Sequence, residues 1–129
     1  MASCVVDTSA VFVDLQGEAG ADAARRWLRD AAISSVNLQE LAAKALDKGM
    51  AADRVPDLIE RLRLTVHAHG ARDALEAGLM RPATAPRGLG LGDRSCLALA
   101  RRLGLPAVTA DRAWEGVAAA VGVEVVVVR

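Results

Sequence analysis

Aromatic residues are almost missing from this chain: among 129 residues there is no Tyr, one Phe (Phe12) and two Trp (Trp27 and Trp114). A core without aromatics has to be filled by small aliphatic side chains, and 27 Ala with 31 Leu or Val supply them. Close helix-on-sheet packing suits such residues better than an aromatic-filled sandwich. Net charge of one sign is missing too. Sixteen basic and 16 acidic residues cancel, which excludes a polycation that grips nucleic acid by bulk electrostatics, though not a nucleic-acid enzyme with a local site.

Two cysteines are too few for a disulfide framework or a metal-ligand cluster. Cys4 sits in a Val-rich run and Cys96 on an apolar helix stripe, so both read as small buried hydrophobes of a reducing compartment. No apolar run, Val125–Val128 included, approaches the length needed to cross a bilayer. The start of the chain has neither the basic stretch nor the apolar segment of a secretory signal. These absences predict a cytoplasmic protein with no membrane partner. With 53% apolar residues the chain is a folding one, and residues 1–129 suffice for one domain that buries roughly two-thirds of its unfolded surface without staples.

Along the chain, apolar runs alternate with helical stripes. Ser3–Val6 reads as a strand ending at Asp7, and Thr8–Leu15 as a helix closed by Gln16-Gly17. Ala24, Trp27, Leu28 and Ala31 mark one face of a helix over Glu18–Ala31. After a short strand at Ala32–Ser34, Leu38, Leu41, Ala42 and Ala45 give a helix ending near Gly49. Val55, Leu58, Ile59 and Leu62 give another, with Pro56 in its first turn. Leu64–His67 reads as a strand and Ala71–Leu79 as a helix. The Pro/Gly-rich stretch Arg81–Gly92 reads as a mobile loop. Cys96, Leu99, Ala100 and Leu103 form the next stripe, closed by Gly104 and Pro106. Ala107–Thr109 is a strand, Trp114, Val117, Ala118 and Val121 a helix, and Val123–Val128 the last strand. Strands alternating with helices imply an α/β domain with a parallel sheet covered on both faces.

Sites in such a sheet form beyond the carboxyl ends of its strands. Asp7 follows the first strand and Asp111 follows Ala107–Thr109. Glu40 lies near the start of a helix and leans back toward its N-terminus, while Asp93 follows Gly92 at another helix start. Each acid taken singly also fits a helix cap or a first-turn charge, and Asn37 with Glu40 fits a capping box. Convergence distinguishes the two readings, because clustered carboxylates repel by roughly 4 kcal/mol per pair at about 4 Å in an effective dielectric near 20. An all-oxygen donor set suits a hard cation, Mg²⁺ or Mn²⁺. Asp22, Asp30, Asp47, Glu60, Asp73 and Glu76 read as solvated helix surface.

Four segments in order, Val5-Val6-Asp7-Thr8-Ser9-Ala10, Ser35–Leu41, Leu89–Ala100 and Val108–Trp114, resemble the successive motifs of PIN-domain proteins, and more narrowly VapC-type toxins of bacterial toxin–antitoxin pairs. The resemblance spans nearly the whole chain. It implies a three-layer α/β/α domain with a mostly parallel sheet of about five strands, and an Mg²⁺- or Mn²⁺-dependent endoribonuclease. It implies Asp7 and Asp93 as principal metal ligands. Glu40 and Asp111 would complete the acidic ring and help orient the attacking water, and Thr8 and Thr109 would hydrogen-bond the carboxylates. Some relatives carry a further acid where Trp114 stands. The implied partners are an RNA substrate, a VapB-type antitoxin lying across the groove, and a second copy in a homodimer.

Other functions can be weighed against the pattern. A phosphotransferase could use Asp7 as nucleophile, but a second acid two residues on is Ser9 here; a receiver-type domain would need a late-strand Lys, and Lys44 and Lys48 lie early. A non-catalytic interaction module on a PIN-like fold is the alternative from another class. Gly88-x-Gly90-x-Gly92 lacks the spacing of a phosphate cradle. His67 and His69 read as surface residues, Trp27 and Trp114 as core or interface, and Arg94 and Arg112 as solvated or salt-bridged.

Overall fold

β1 (Cys4–Val6), β2 (Ala31–Ser34), β3 (Thr65–His67), β4 (Ala107–Thr109) and β5 (Val125–Val127) form one sheet in the order β3-β2-β1-β4-β5 in the computed structural model, which describes all 129 residues. All four pairings are parallel, with Val5 opposite both Ala32 and Ala107, and Val6 opposite Val108. β1, β2 and β4 are buried throughout, and their short β-branched or Ala segments are what strands covered on both faces require, whereas the edge strand β3 is exposed at Thr65 and Val66 and β5 is half-buried. Successive strand residues point to opposite faces, so Cys4, Val6 and Ile33 enter one core while Val5, Ala32 and Ala107 enter the other.

The first core is completed by α1 (Thr8–Leu15), α2 (Ala21–Leu28) and α3 (Ser35–Asp47), through Val11, Phe12, Leu28 and Leu41. α4 (Val55–Leu62) closes its margin through Val55, with Pro56 in the first turn where no N–H is needed. The second core is built on α7 (Leu91–Leu103), whose residues Arg94–Ala100 are all buried, together with Trp114. α5 (Ala71–Leu79), α6 (Arg81–Thr84) and α8 (Ala118–Val121) flank it. This is the expected three-layer α/β/α arrangement, with the sheet wholly parallel. Leu41, Leu97 and Trp114, all fully buried, each contribute on the order of 2 kcal/mol of apolar transfer energy.

Several local expectations are corrected. The stretch Arg81–Gly92 is not a mobile loop: α6 and a following 3₁₀ turn (Ala85–Arg87) occupy it, and Leu89 is pinned in the core. Pro82 and Pro86 stand in the first turns of these pieces, where proline starts helices instead of breaking them. α2 is shorter than its stripe suggested, because Ala31 belongs to β2. The last helical stripe splits into a 3₁₀ turn (Arg112–Gly116) and the single turn of α8. Asp73 is buried, not solvated, and accepts two hydrogen bonds from Arg102 at 2.8 and 3.1 Å, tying α5 to α7. No helix is long and apolar enough to cross a membrane.

Candidate active site

Strand order reverses direction of travel between β1 and β4, and the crevice beyond their carboxyl ends is the preferred site of an open parallel sheet. Asp7 emerges there from β1. It caps α1 by accepting the Ala10 N–H at 3.0 Å, and its backbone N–H bonds Val108 of β4. Its carboxylate also accepts Ser9 Oγ at 2.7 Å and Thr109 Oγ1 at 2.7 Å. Ser9 Oγ in turn accepts the Ala110 N–H, so the ends of β1 and β4 are sewn together around one carboxylate.

A cleft of about 470 Å³ opens above Asp7, and its lining includes Ser9, Asn37, Glu40, Lys44, Asp47 and Asp93. Three of the four expected acids therefore meet on one cavity. Asp93 enters from the first turn of α7, where its carboxylate accepts the Gly90 N–H at 2.8 Å. Glu40 projects from α3, and Asn37 Nδ2 clamps it by donating to Glu40 Oε1 at 2.7 Å and to the Gly92 carbonyl at 3.0 Å. Asp111 is not part of the lining. It caps the 3₁₀ turn after β4 through the Ala113 N–H at 2.9 Å, yet lies near enough to raise the pKa of Asp93.

The electrostatics are those of anions held out of water. Burial pushes the Asp7 carboxyl up to about 6, against the donors from Ala10, Thr109 and Ser9, with Asp93 adding repulsion. Burial likewise raises Asp93; the Gly90 N–H and Arg94 oppose the shift, while Glu40 and Asp111 reinforce it. Cys96, buried on α7, is kept protonated by burial and by these same acids. Burial pushes Cys4 up to about 11, and both cysteines are free thiols, as the sequence suggested.

The donors suit a hard cation, since every charged acceptor in the cleft is a carboxylate oxygen. As the side chains stand, no three acids, histidines or cysteines crowd round one point. The buried Asn37 Oδ1 has no partner and gives the same wall an unspent acceptor.

Several expectations about supporting residues change. Thr109 bonds a carboxylate as expected, but Thr8 does not. As the first residue of α1 it turns inward, and its hydroxyl donates to the Asn37 backbone carbonyl at 3.1 Å. Ser9 takes the role given to Thr8, as a hydroxyl two residues beyond a helix-capping Asp can. Asn37 is not the N-cap of α3, which is Ser34; its side chain positions Glu40 instead. Gly92, the last residue of the segment read as a mobile loop, lies within α7, against the Glu40 carboxylate. Arg94 is buried and bonds the Leu89 carbonyl, while Arg112 bonds the carbonyl of Arg129.

The PIN-domain sequence profile matches residues 4–120, and the chain belongs to the PIN-domain family. Among solved structures, a chain of the DNA-bound VapBC of Salmonella typhimurium superposes with a TM-score of 0.74 over 100% of both chains at 24% identity. A chain of a toxin–antitoxin complex from Klebsiella pneumoniae gives 0.73 over 98% of each at 19% identity. VapC20 of Mycobacterium tuberculosis, a sarcin-ricin loop cleaving toxin, gives 0.69 at 21% identity, covering 85% of this chain and 91% of its own. These likenesses establish a shared fold. No curated protein matches the sequence.

Proposed function

We propose that this chain is a metal-dependent endoribonuclease, the toxin of a toxin–antitoxin pair, that hydrolyses RNA phosphodiester bonds with an activated water. The observation that carries this reading is the meeting of Asp7, Glu40 and Asp93, from three separate segments, on one cleft at the β1/β4 crevice. Bound Mg²⁺ or Mn²⁺ would supply a water of lowered pKa and offset charge on the phosphoryl oxygens. Asp7 and Asp93 would be the principal ligands. Thr109 and Ser9 hold Asp7 in one orientation by hydrogen bonds, as residues behind a metal ligand commonly do. Glu40, steadied by Asn37, is free at its second oxygen to take a proton or orient the water. Asp111 adds negative potential from the rim.

The phosphotransferase reading is weakened at Ser9, which stands where that chemistry wants a second acid and instead donates to the Asp7 carboxylate. The partners belong to the proposal: a VapB-type antitoxin whose segment covers the cleft, and a second copy of the chain. The exposed leucines Leu75, Leu79 and Leu91 give α5 and the start of α7 an apolar face outside the cleft for such contacts. The test is to map new RNA ends after controlled expression of the wild type and of Asp7→Asn. Discrete ends that appear only with the wild type are expected. An unchanged RNA population with folded wild type would overturn the reading.

A further inference from the structure

The two lysines of the chain, Lys44 and Lys48, stand one turn apart on α3 and share one neighbour. Both ammonium groups lie over the ring of Phe12, the chain's single phenylalanine, at 5.2 and 5.3 Å from its centroid. Lys44 is the one cation lining the acidic cleft. Glu40 lies four residues before it and Asp47 three after, spacings at which helix-surface charges normally pair. Yet the ion pairs of the fold are Arg25–Asp14, Arg101–Glu76, Arg102–Asp73 and Arg129–Glu18, and none involves Lys44. Its ammonium rests against the aromatic face with no carboxylate in ion-pair contact. Lys48 leads away from the cleft, into a neighbouring groove that it lines with Phe12 and Arg54. The Gln16 side-chain oxygen accepts from Lys48 Nζ at 3.0 Å in the amide orientation that satisfies both of its ends.

We propose that Lys44, with Lys48 behind it, binds backbone phosphates of the RNA and lays the strand along α3, over Phe12. The proposal rests on the nuclease reading of the cleft. A strand that puts one phosphate among Asp7, Glu40 and Asp93 must carry its neighbouring phosphates over one wall of the cleft. Among the residues lining the cleft, Lys44 on the α3 wall is the cation that can meet them. A rise of about 6 Å between residues one turn apart lets the two lysines meet different phosphates. Lysine acts here as a point charge on backbone, so the contacts position the strand without reading its sequence. The lysines are positioning residues: they do not touch the reacting atoms.

The test is equilibrium binding of a short fluorescent single-stranded RNA to the uncleaving Asp7→Asn protein in EDTA, from about 50 to 200 mM KCl. Adding Lys44→Gln should weaken binding and make the slope of log affinity against log salt shallower by about 0.7, the increment for one phosphate contact on a single strand. Lys44→Arg should restore both. Arg61→Gln, an exposed change on α4 outside the cleft lining, should alter neither. A lysine that merely offsets the acidic cleft would change the melting temperature but not the salt slope. An unchanged slope and affinity for Lys44→Gln overturns the proposal and leaves the nuclease reading to its own cleavage test. So does a result in which Lys44→Gln loosens only a co-expressed antitoxin. Absence of RNA binding by the Asp7→Asn parent overturns the proposal as well, and cleavage by the wild type then decides the nuclease reading separately.

Discussion

The carboxylate of Glu40 lies so close to the backbone of Gly92 that a methyl group on that glycine would overlap it. Asn37 spans the same gap, donating to both. The glycine is therefore there for space, since its backbone is not in the left-handed region. Gly92→Ala should fold, because the clash is with the end of a flexible side chain and alanine gains about 1 kcal/mol over glycine within a helix. Displacing Glu40 by even an ångström should cost cleavage about a hundredfold. Melting temperature and cleavage rate measured together check this: unchanged cleavage would remove Glu40 from the mechanism.

Asp7 gives the apo protein a definite pH signature. Its carboxyl rises from 3.8 to about 6 on folding, so the folded state binds that proton more tightly than the unfolded chain does. The stability it contributes is complete below about pH 4 and is lost as pH rises through 6. Two units correspond to about 3 kcal/mol. In EDTA, the stability of wild type relative to Asp7→Asn should therefore fall by this order between pH 4 and pH 8. Denaturant unfolding at several pH values measures it, and parallel curves would contradict the assignment.

Metal should reverse that penalty, since a cation stabilises the ionised form and binds only the folded chain. Mg²⁺ or Mn²⁺ should raise the melting temperature at pH 8 and much less at pH 5. Asp93→Asn should shrink the rise. An equal rise in Asp93→Asn would remove that residue from the ligand set.

Thr109 Oγ1 is the longest-range support of the site, joining the end of β4 to Asp7 across the chain. It lowers the Asp7 pKa, so Thr109→Val should lift that pKa further. The pH at which metal stabilisation appears should move upward, with about 1–3 kcal/mol lost from the ionised state. Differential scanning fluorimetry across pH, with and without Mg²⁺, reads the displacement.

The Asp73–Arg102 pair separates fold from site. Arg102→Ala leaves a buried carboxylate without its donors, and should cost about 2 kcal/mol of stability. Cleavage per folded molecule should be unchanged, because the pair does not line the acidic cleft.

Much of this architecture was legible in the sequence because parallel strands buried on both faces leave compact apolar signatures, and Asp7 and Asp111 directly mark their ends. α1 and β4 begin and end where the patterns of Thr8–Leu15 and Ala107–Thr109 say. The Arg81–Gly92 segment was not legible, since Pro82 and Pro86 signal both loops and helix starts, and only the burial of Leu89 and Thr84 decides between them. Asp73 looked solvated because a helix-surface acid betrays nothing of a partner 29 residues away. Asn37, Ser9 and Gly92 escaped for a related reason. Their roles lie in which neighbour each touches, and local pattern gave Asn37 a capping role that Ser34 holds. The convergence of Asp7, Glu40 and Asp93 follows from their places at strand ends and helix starts, whereas Asp111 caps the 3₁₀ turn after β4 and stands outside the cleft lining.

The central claim is that Asp7 and its neighbouring acids carry out divalent-metal hydrolysis of RNA. The most direct measurement is cleavage of total RNA by purified wild type and Asp7→Asn, each with Mg²⁺, with Mn²⁺ and with EDTA. Cleavage by the wild type in either metal, abolished by EDTA and by Asp7→Asn, is the result expected. Cleavage that persists in EDTA, or equal cleavage by folded Asp7→Asn, would contradict it.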